Sequence, residues 1–187
     1  MKRLAVLALA FLLSGCSFSF PFSSSTPEIH YYVLDAPAPS GWEVSTPRLG
    51  VMPISMPGYL SRPQLVVREK DGVSIRVLDF DRWGEELASG VTRVLCDALS
   101  AQGVSAVPLI TGSQADAKLM LDIRRLDGRL DGEVTLDAVW TIQKGKEVYR
   151  TGHVMKTSTC EDDIVSMVEA QSSLIQYLAK EIARACK

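Results

Sequence analysis

The chain predicts an α+β fold, a mostly antiparallel sheet packed against two amphipathic helices in a single domain. Three observations carry this. Residues 117–123, 134–142 and 147–155 are alternating or β-rich runs joined by turn residues, which reads as a meander with one face buried. Residues 82–102 and 162–185 repeat apolar side chains at helical spacing. The order is strands, helix, strands, helix, and no internal repeat is visible.

The chain opens with Lys2 and Arg3, an apolar run over residues 4–12, and then Leu13-Ser14-Gly15-Cys16. A charged start, a short apolar stretch and small residues before a cut make a secretory signal. A spanning helix needs roughly 20 apolar residues; this run is much shorter, and Ser14, Ser17 and Ser19 close it. The ending is similar to the lipobox of bacterial lipoproteins, which implies cleavage between Gly15 and Cys16 and lipid on Cys16. The expected organisation is a signal peptide at 1–15, a lipidated cysteine and flexible linker at 16–28, and a folded domain at 29–187. Serine and proline dominate the linker, so it should be extended. Phe18, Phe20 and Phe22 alternate with small residues there. A membrane-interface role and an incidental place in a tether both stay open for them.

Residues 30–35 (HYYVLD) are rich in strand formers and predict a first strand. A Pro/Gly/Ser loop holding Trp42 follows, then a second strand over 47–56. Pro53 and Pro57 place its end there or put it at a sheet edge. Residues 57–63 (PGYLSRP) form a compact turn with Tyr59 expected to be exposed at its centre. Residues 64–68 and 73–78 flank Asp71-Gly72, a hairpin signal.

The first helix is predicted over 82–102, with Leu87, Val91, Val94, Leu95 and Ala98 on its buried side. Counted from Leu87 at about 100° per residue, Cys96 falls about 180° away, on the polar face. Gly103 should end this helix at its C′ position, and a short strand is expected within 104–107. In the meander, Ala117, Leu119, Leu121 and Ile123 face inward, as do Val134, Leu136, Ala138, Trp140 and Ile142. Residues 127–132 (DGRLDG) turn between these strands. The last helix, over 162–185, buries Ile164, Met167, Val168, Gln171, Leu174, Ile175, Leu178 and Ile182.

Without residues 1–15 the chain keeps 172 of its 187 residues, about one domain. Loss of Lys2 and Arg3 leaves 18 of 20 basic residues against 22 acidic ones, a mature charge of about −4. That argues against nucleic acid and against anionic headgroups as general electrostatic partners, since both reward a basic surface. Four cysteines are present, Cys16, Cys96, Cys160 and Cys186, and none forms a CxxC. Cys160 and Cys186 flank a helix about 36 Å long, while a disulfide needs Cα atoms within about 7 Å. They cannot bond within one chain; any disulfide would use Cys96 or a neighbouring subunit.

Catalytic and metal motifs are missing: there is no GxSxG, HExxH, GxxxxGK or SxxK. His30 and His153 are the only histidines and read as strand residues. Asp127, Asp131 and Glu133 fail the spacing of an oxygen-ligand calcium loop and read as turn residues. Asp79, Asp81, Glu85 and Glu86 read as acidic residues favoured near a helix start. Arg82-Trp83, at that predicted start, is either core packing or a contact point. Catalytic residues, metal ligands and cofactors other than the covalent lipid on Cys16 are therefore expected to be none.

Together these stretches resemble the PqiC/YmbA family of ABC-type transport auxiliary lipoproteins. The residues that carry the resemblance are the 13–16 lipobox, Tyr31-Tyr32-Val33-Leu34, Leu49-Gly50-Val51, Met56 to Leu60 with Arg62-Pro63-Gln64, Arg82-Trp83 with Glu85-Glu86-Leu87, Asp127-Gly128-Arg129, Asp131-Gly132 and Trp140. Gly84 stands where the family often has alanine, which should weaken the helix start by about 1 kcal/mol. The resemblance implies a non-enzymatic lipoprotein anchored in the outer membrane and facing the periplasm. It implies an MCE-domain protein, a periplasmic lipid conduit, as partner, and Ser17 after the lipidated cysteine fits outer-membrane sorting. Pro57, Gly58, Tyr59, Leu60, Arg82 and Trp83 are the candidate contact residues. Self-association stays open, and the alternative function is a stand-alone periplasmic lipid- or small-ligand-binding lipoprotein.

Overall fold

The structure, a computed structural model, describes residues 27–36, 48–110, 114–130 and 132–186. The lipobox, most of the linker, Trp42 and Asp131 lie outside these residues. The described elements are β1 (His30–Tyr32), β2 (Leu49–Val51), β3 (Gln64–Arg68), β4 (Ile75–Trp83), α1 (Leu87–Ala101), β5 (Ala106–Pro108), β6 (Ala117–Gly128), β7 (Glu133–Lys144), β8 (Glu147–Thr159) and α2 (Ile164–Cys186). The fold is α+β with two helices, in one domain.

The strands divide into two sheets rather than one. A small sheet has the order β1-β4-β3 and a larger one the order β5-β2-β6-β7-β8. β3–β4, β6–β7 and β7–β8 are antiparallel, whereas β1–β4, β2–β5 and β2–β6 are parallel. β2 lies between two neighbours, so it is not an edge. Pro53 does cut it short; beyond it Met52 N–H still donates to Leu119 O at 2.9 Å and Ser55 N–H to Leu121 O at 3.0 Å. The chain thus tracks β6 to Ser55 before entering the 57–63 turn.

The meander forms as its alternation requires, and every residue expected inward on β6 and β7 is buried. A bulge between Ile123 and Arg125 then shifts the register by one residue. Such a slip exchanges the two faces of a strand. Leu126 consequently pairs with inward Leu136, and Asp127 pairs with Thr135 on the opposite face.

The predicted first helix begins five residues late. Arg82 and Trp83 end β4: Trp83 N–H donates to Pro63 O at 2.7 Å, and Gly84 N–H to Tyr32 O at 2.8 Å. Ladder bonds to β1 and β3 claim backbone that the local pattern assigns to a helix. Gly84 is therefore no helical residue, and the expected helix penalty does not arise. The C-terminus follows the prediction. Gly103 has φ +80°, its N–H bonds Ser100 O at 2.9 Å, and Val104 N–H reaches Leu99 O at 3.0 Å, a Schellman turn.

Cys96 corrects the helical-wheel reading: it is 6% exposed. α1 packs both on α2 and on β5, so its buried sector is wide, running through Leu87, Val91, Leu95, Cys96 and Leu99. A stripe centred on Leu87 misses the second side. α2 starts at an Asp163 cap, whose Oδ1 accepts Ser166 N–H at 2.8 Å. It then lies along β6, β7 and β8. In its middle, Gln171 Nε2 donates to Leu126 O at 3.0 Å across the core. Cys186 belongs to the last turn of α2 rather than lying beyond it. Cys96 and Cys186 are free thiols.

Candidate partner-contact site

The 57–63 turn is shaped by short-range bonds. Leu60 N–H donates to Pro57 O at 2.9 Å and Ser61 N–H to Gly58 O at 3.3 Å. Leu60 is driven into the core at 3% exposure, leaving Gly58 exposed and Pro57 half-buried. Tyr59 is not the exposed aromatic the sequence suggests. Its ring is half-buried and its hydroxyl donates to Asp127 Oδ2.

Asp127 is the centre of the arrangement and is wholly buried. Arg68 holds it bidentately, Nε to Oδ1 at 2.7 Å and Nη2 to Oδ2 at 2.8 Å. Arg125 Nε adds a third cationic bond to Oδ1 at 3.1 Å. Arg68 Nη1 also donates to Gly72 O at 3.1 Å, tying in the β3–β4 turn. The network joins the turn, the small sheet and the large sheet through one carboxylate. A buried ion pair is tolerable only when its lone pairs and protons are so satisfied.

The electrostatics follow from this geometry. Burial raises the Asp127 carboxyl pKa, but the bonds from Arg68, Tyr59 and Arg125 outweigh it and hold the group below the usual carboxylate range. Burial and the bond to Asp127 push the Tyr59 hydroxyl well above its ordinary value. The bond to Asp127 raises Arg68 further, so Arg68 stays charged. These groups hold a shape; none is poised to exchange a proton near neutrality.

The structure brings the two predicted contact regions together. Pro63 is bonded to Trp83, and Gln64 pairs with Arg82. Trp83 is 8% exposed and is a core residue, so of the six candidates Trp83 and Leu60 face inward. Pro57, Gly58 and Arg82 keep accessible surface, and Tyr59 shows part of its ring. Arg82 Nε and Arg62 Nε are buried without a hydrogen-bond partner.

The predicted alternatives to a contact site fall elsewhere. His153 Nε2 lies 2.7 Å from Asp137 Oδ1 on the large sheet, and His30 Nδ1 lies 3.5 Å from Asp81 on the small one. Glu85 is paired with Arg93 at 2.6 Å. Among the described residues no group of three or more His, Cys, Asp or Glu side chains is placed to hold a metal ion. Sequence reading misses Asp127 as a centre because its partners are 59 and 68 positions away. A signal existed only in Arg125-x-Asp127, a cation and an anion two apart on a strand.

This is an α+β domain whose buried polar groups fasten a surface turn. The chain belongs to the family of ABC-type transport auxiliary lipoprotein components, whose model matches residues 32–183. Two solved structures share the fold. A crystal structure titled only as an uncharacterized protein is 20% identical with a TM-score of 0.74, covering 86% of this chain and 100% of its own. A Xanthomonas campestris protein of the DUF330 family is 14% identical with a TM-score of 0.65, covering 84% of this chain and 93% of its own. No curated protein matches the chain.

Proposed function

We propose that this chain is a non-enzymatic auxiliary subunit of an MCE-type lipid transport system, held at the periplasmic face of the outer membrane by lipid on Cys16. The observation that carries the proposal is the family match over residues 32–183. The 13–16 lipobox and Ser17 support the anchor and its membrane. One acyl chain binds a bilayer marginally, whereas two or more hold stably. The fastened turn supplies a rigid, accessible surface on which a partner can dock. A cleft lined by Arg48, Leu49, Ile142, Tyr149 and Cys186 among others offers about 80 Å³, while ligand pockets usually hold about 300–1,000 Å³.

Affinity purification from detergent-solubilised membranes tests this. An MCE-domain protein should co-purify, and repeated recovery without one ends the proposal. Cys16→Ala should yield a folded domain that fails to restore envelope integrity in a deletion strain; full restoration would contradict the anchored role.

A further inference from the structure

The outer face of the small sheet carries a patch of exposed apolar side chains. Ile29, Tyr31 and Val33 alternate through β1 and are 38%, 64% and 55% exposed. On the opposite face Tyr32 bonds Asp81 at 3.1 Å and Leu34 is 2% exposed, while His30 at the start of the strand stays exposed. On β4 the same face holds Arg82, which pairs with Tyr31, and Phe80, two residues earlier and 46% exposed. A Cβ placed on Gly84 would lie 3.1 Å from Val33 Cγ1 and 4.0 Å from Tyr31 Cβ, so these side chains lie over that glycine. Among the described residues no ion pair neutralises Arg82 or Arg62, at the same end of the sheet.

We propose that this face, Ile29, Tyr31, Val33, Phe80 and Arg82, lies against the headgroup region of the phospholipid bilayer in which the chain is anchored. The inference rests on the lipid anchor at Cys16. Two features select a bilayer. The first is chemistry: a tyrosine and a phenylalanine among aliphatic side chains, with an unpaired arginine beside them, suit the interface between hydrocarbon and anionic headgroups. Arg82 is the one cation among these five residues, so the apolar side chains rather than the chain's net charge carry the contact. The second is position. Ile29 is only 13 residues from Cys16, a span of at most about 43–47 Å. The patch is where the tether enters the fold, so the anchor brings this face to the membrane first.

The test uses the full lipidated chain reconstituted into vesicles of phosphatidylethanolamine and phosphatidylglycerol with brominated acyl chains. Tyr31→Trp reports from the patch, Phe80→Trp is a second reporter should the first misfold, and Val148→Trp, on 64% exposed Val148 of β8 in the other sheet, is the control. After subtraction of the parent chain's emission, quenching of Y31W should exceed that of V148W about twofold or more, as expected for a side chain at the interface. Equal quenching in chains that float with the vesicles overturns the bilayer face but leaves the anchor. A blue shift of Y31W that grows with protein concentration and shows no quenching assigns the face to a second copy and also overturns it. A Cys16 peptide of unmodified mass in chains that do not float overturns the anchor and the face together.

Discussion

Asp127 makes the strongest demands of any single residue. Its carboxylate is fully buried and accepts bonds from Arg68, Arg125 and Tyr59. Removing one partner of a buried ion pair strands the other, so Asp127→Ala should destabilise the fold by about 3–5 kcal/mol in urea unfolding. Tyr59→Phe removes one bond to a charged group and should cost about 1–3 kcal/mol. The pH dependence has a definite sign. The Asp127 pKa is depressed in the folded chain, so its contribution is present above the unfolded value of about 3.9 and is lost as pH falls through the folded one. Asp127→Asn should therefore flatten the acid limb of the stability profile relative to the parent. An unchanged acid limb would show that other carboxylates govern it.

Gly152 is constrained in another way. A Cβ there would clash with the Trp140 indole, whose ring lies over Gly152 of β8 at 6% exposure. Overpacking of this kind costs about 1–3 kcal/mol, so Gly152→Ala should lower the urea midpoint without changing the slope.

Among the elements, α1 shows how tertiary packing revises a local pattern. Its contacts to α2 and to β5 bury Cys96 along with Leu95 and Leu99. Burial, with a smaller contribution from Asp97, pushes the Cys96 thiol up to about 12. At pH 8 Cys96 should resist iodoacetamide in the native chain and react only after unfolding. Rapid native labelling at Cys96, mapped by peptide mass, would mean that α1 is not seated as described. Leu99→Ala, at 0% exposure, should cost about 2–5 kcal/mol. The β4–α1 junction makes the complementary point. Local spacing continues the helix back through Trp83, yet partners in β1 and β3 hold these residues as strand. Hydrogen bonds to distant backbone have no trace in a sliding window.

At the scale of the molecule, the small sheet, the 57–63 turn and the large sheet meet at Asp127, and α2 packs along β6, β7 and β8 of the large sheet. This explains how a domain of modest size can present a fixed turn. It also separates two roles. On the proposed function, lipid on Cys16 sets where the domain is, and the fastened turn sets what surface it offers. Cys16→Ala should therefore abolish envelope function while leaving the unfolding curve of the domain unchanged. Asp127→Asn should disturb the unfolding curve while leaving Cys16 acylation intact.

The sequence by itself determined the α+β class, both helices, the inward faces of β6 and β7, the Gly103 stop and the family resemblance. Each of these rests on periodicity, on a terminal signal or on residues close together in the chain. Only the tertiary structure decided the division into two sheets, the parallel seating of β1 and β2, the strand identity of Arg82 and Trp83, the burial of Cys96 and the centre at Asp127. Those depend on which distant segments meet. The bulge after Ile123 is the clearest physical reason: one extra residue reverses which face Asp127 occupies, and only the pairing with β7 shows where that face leads.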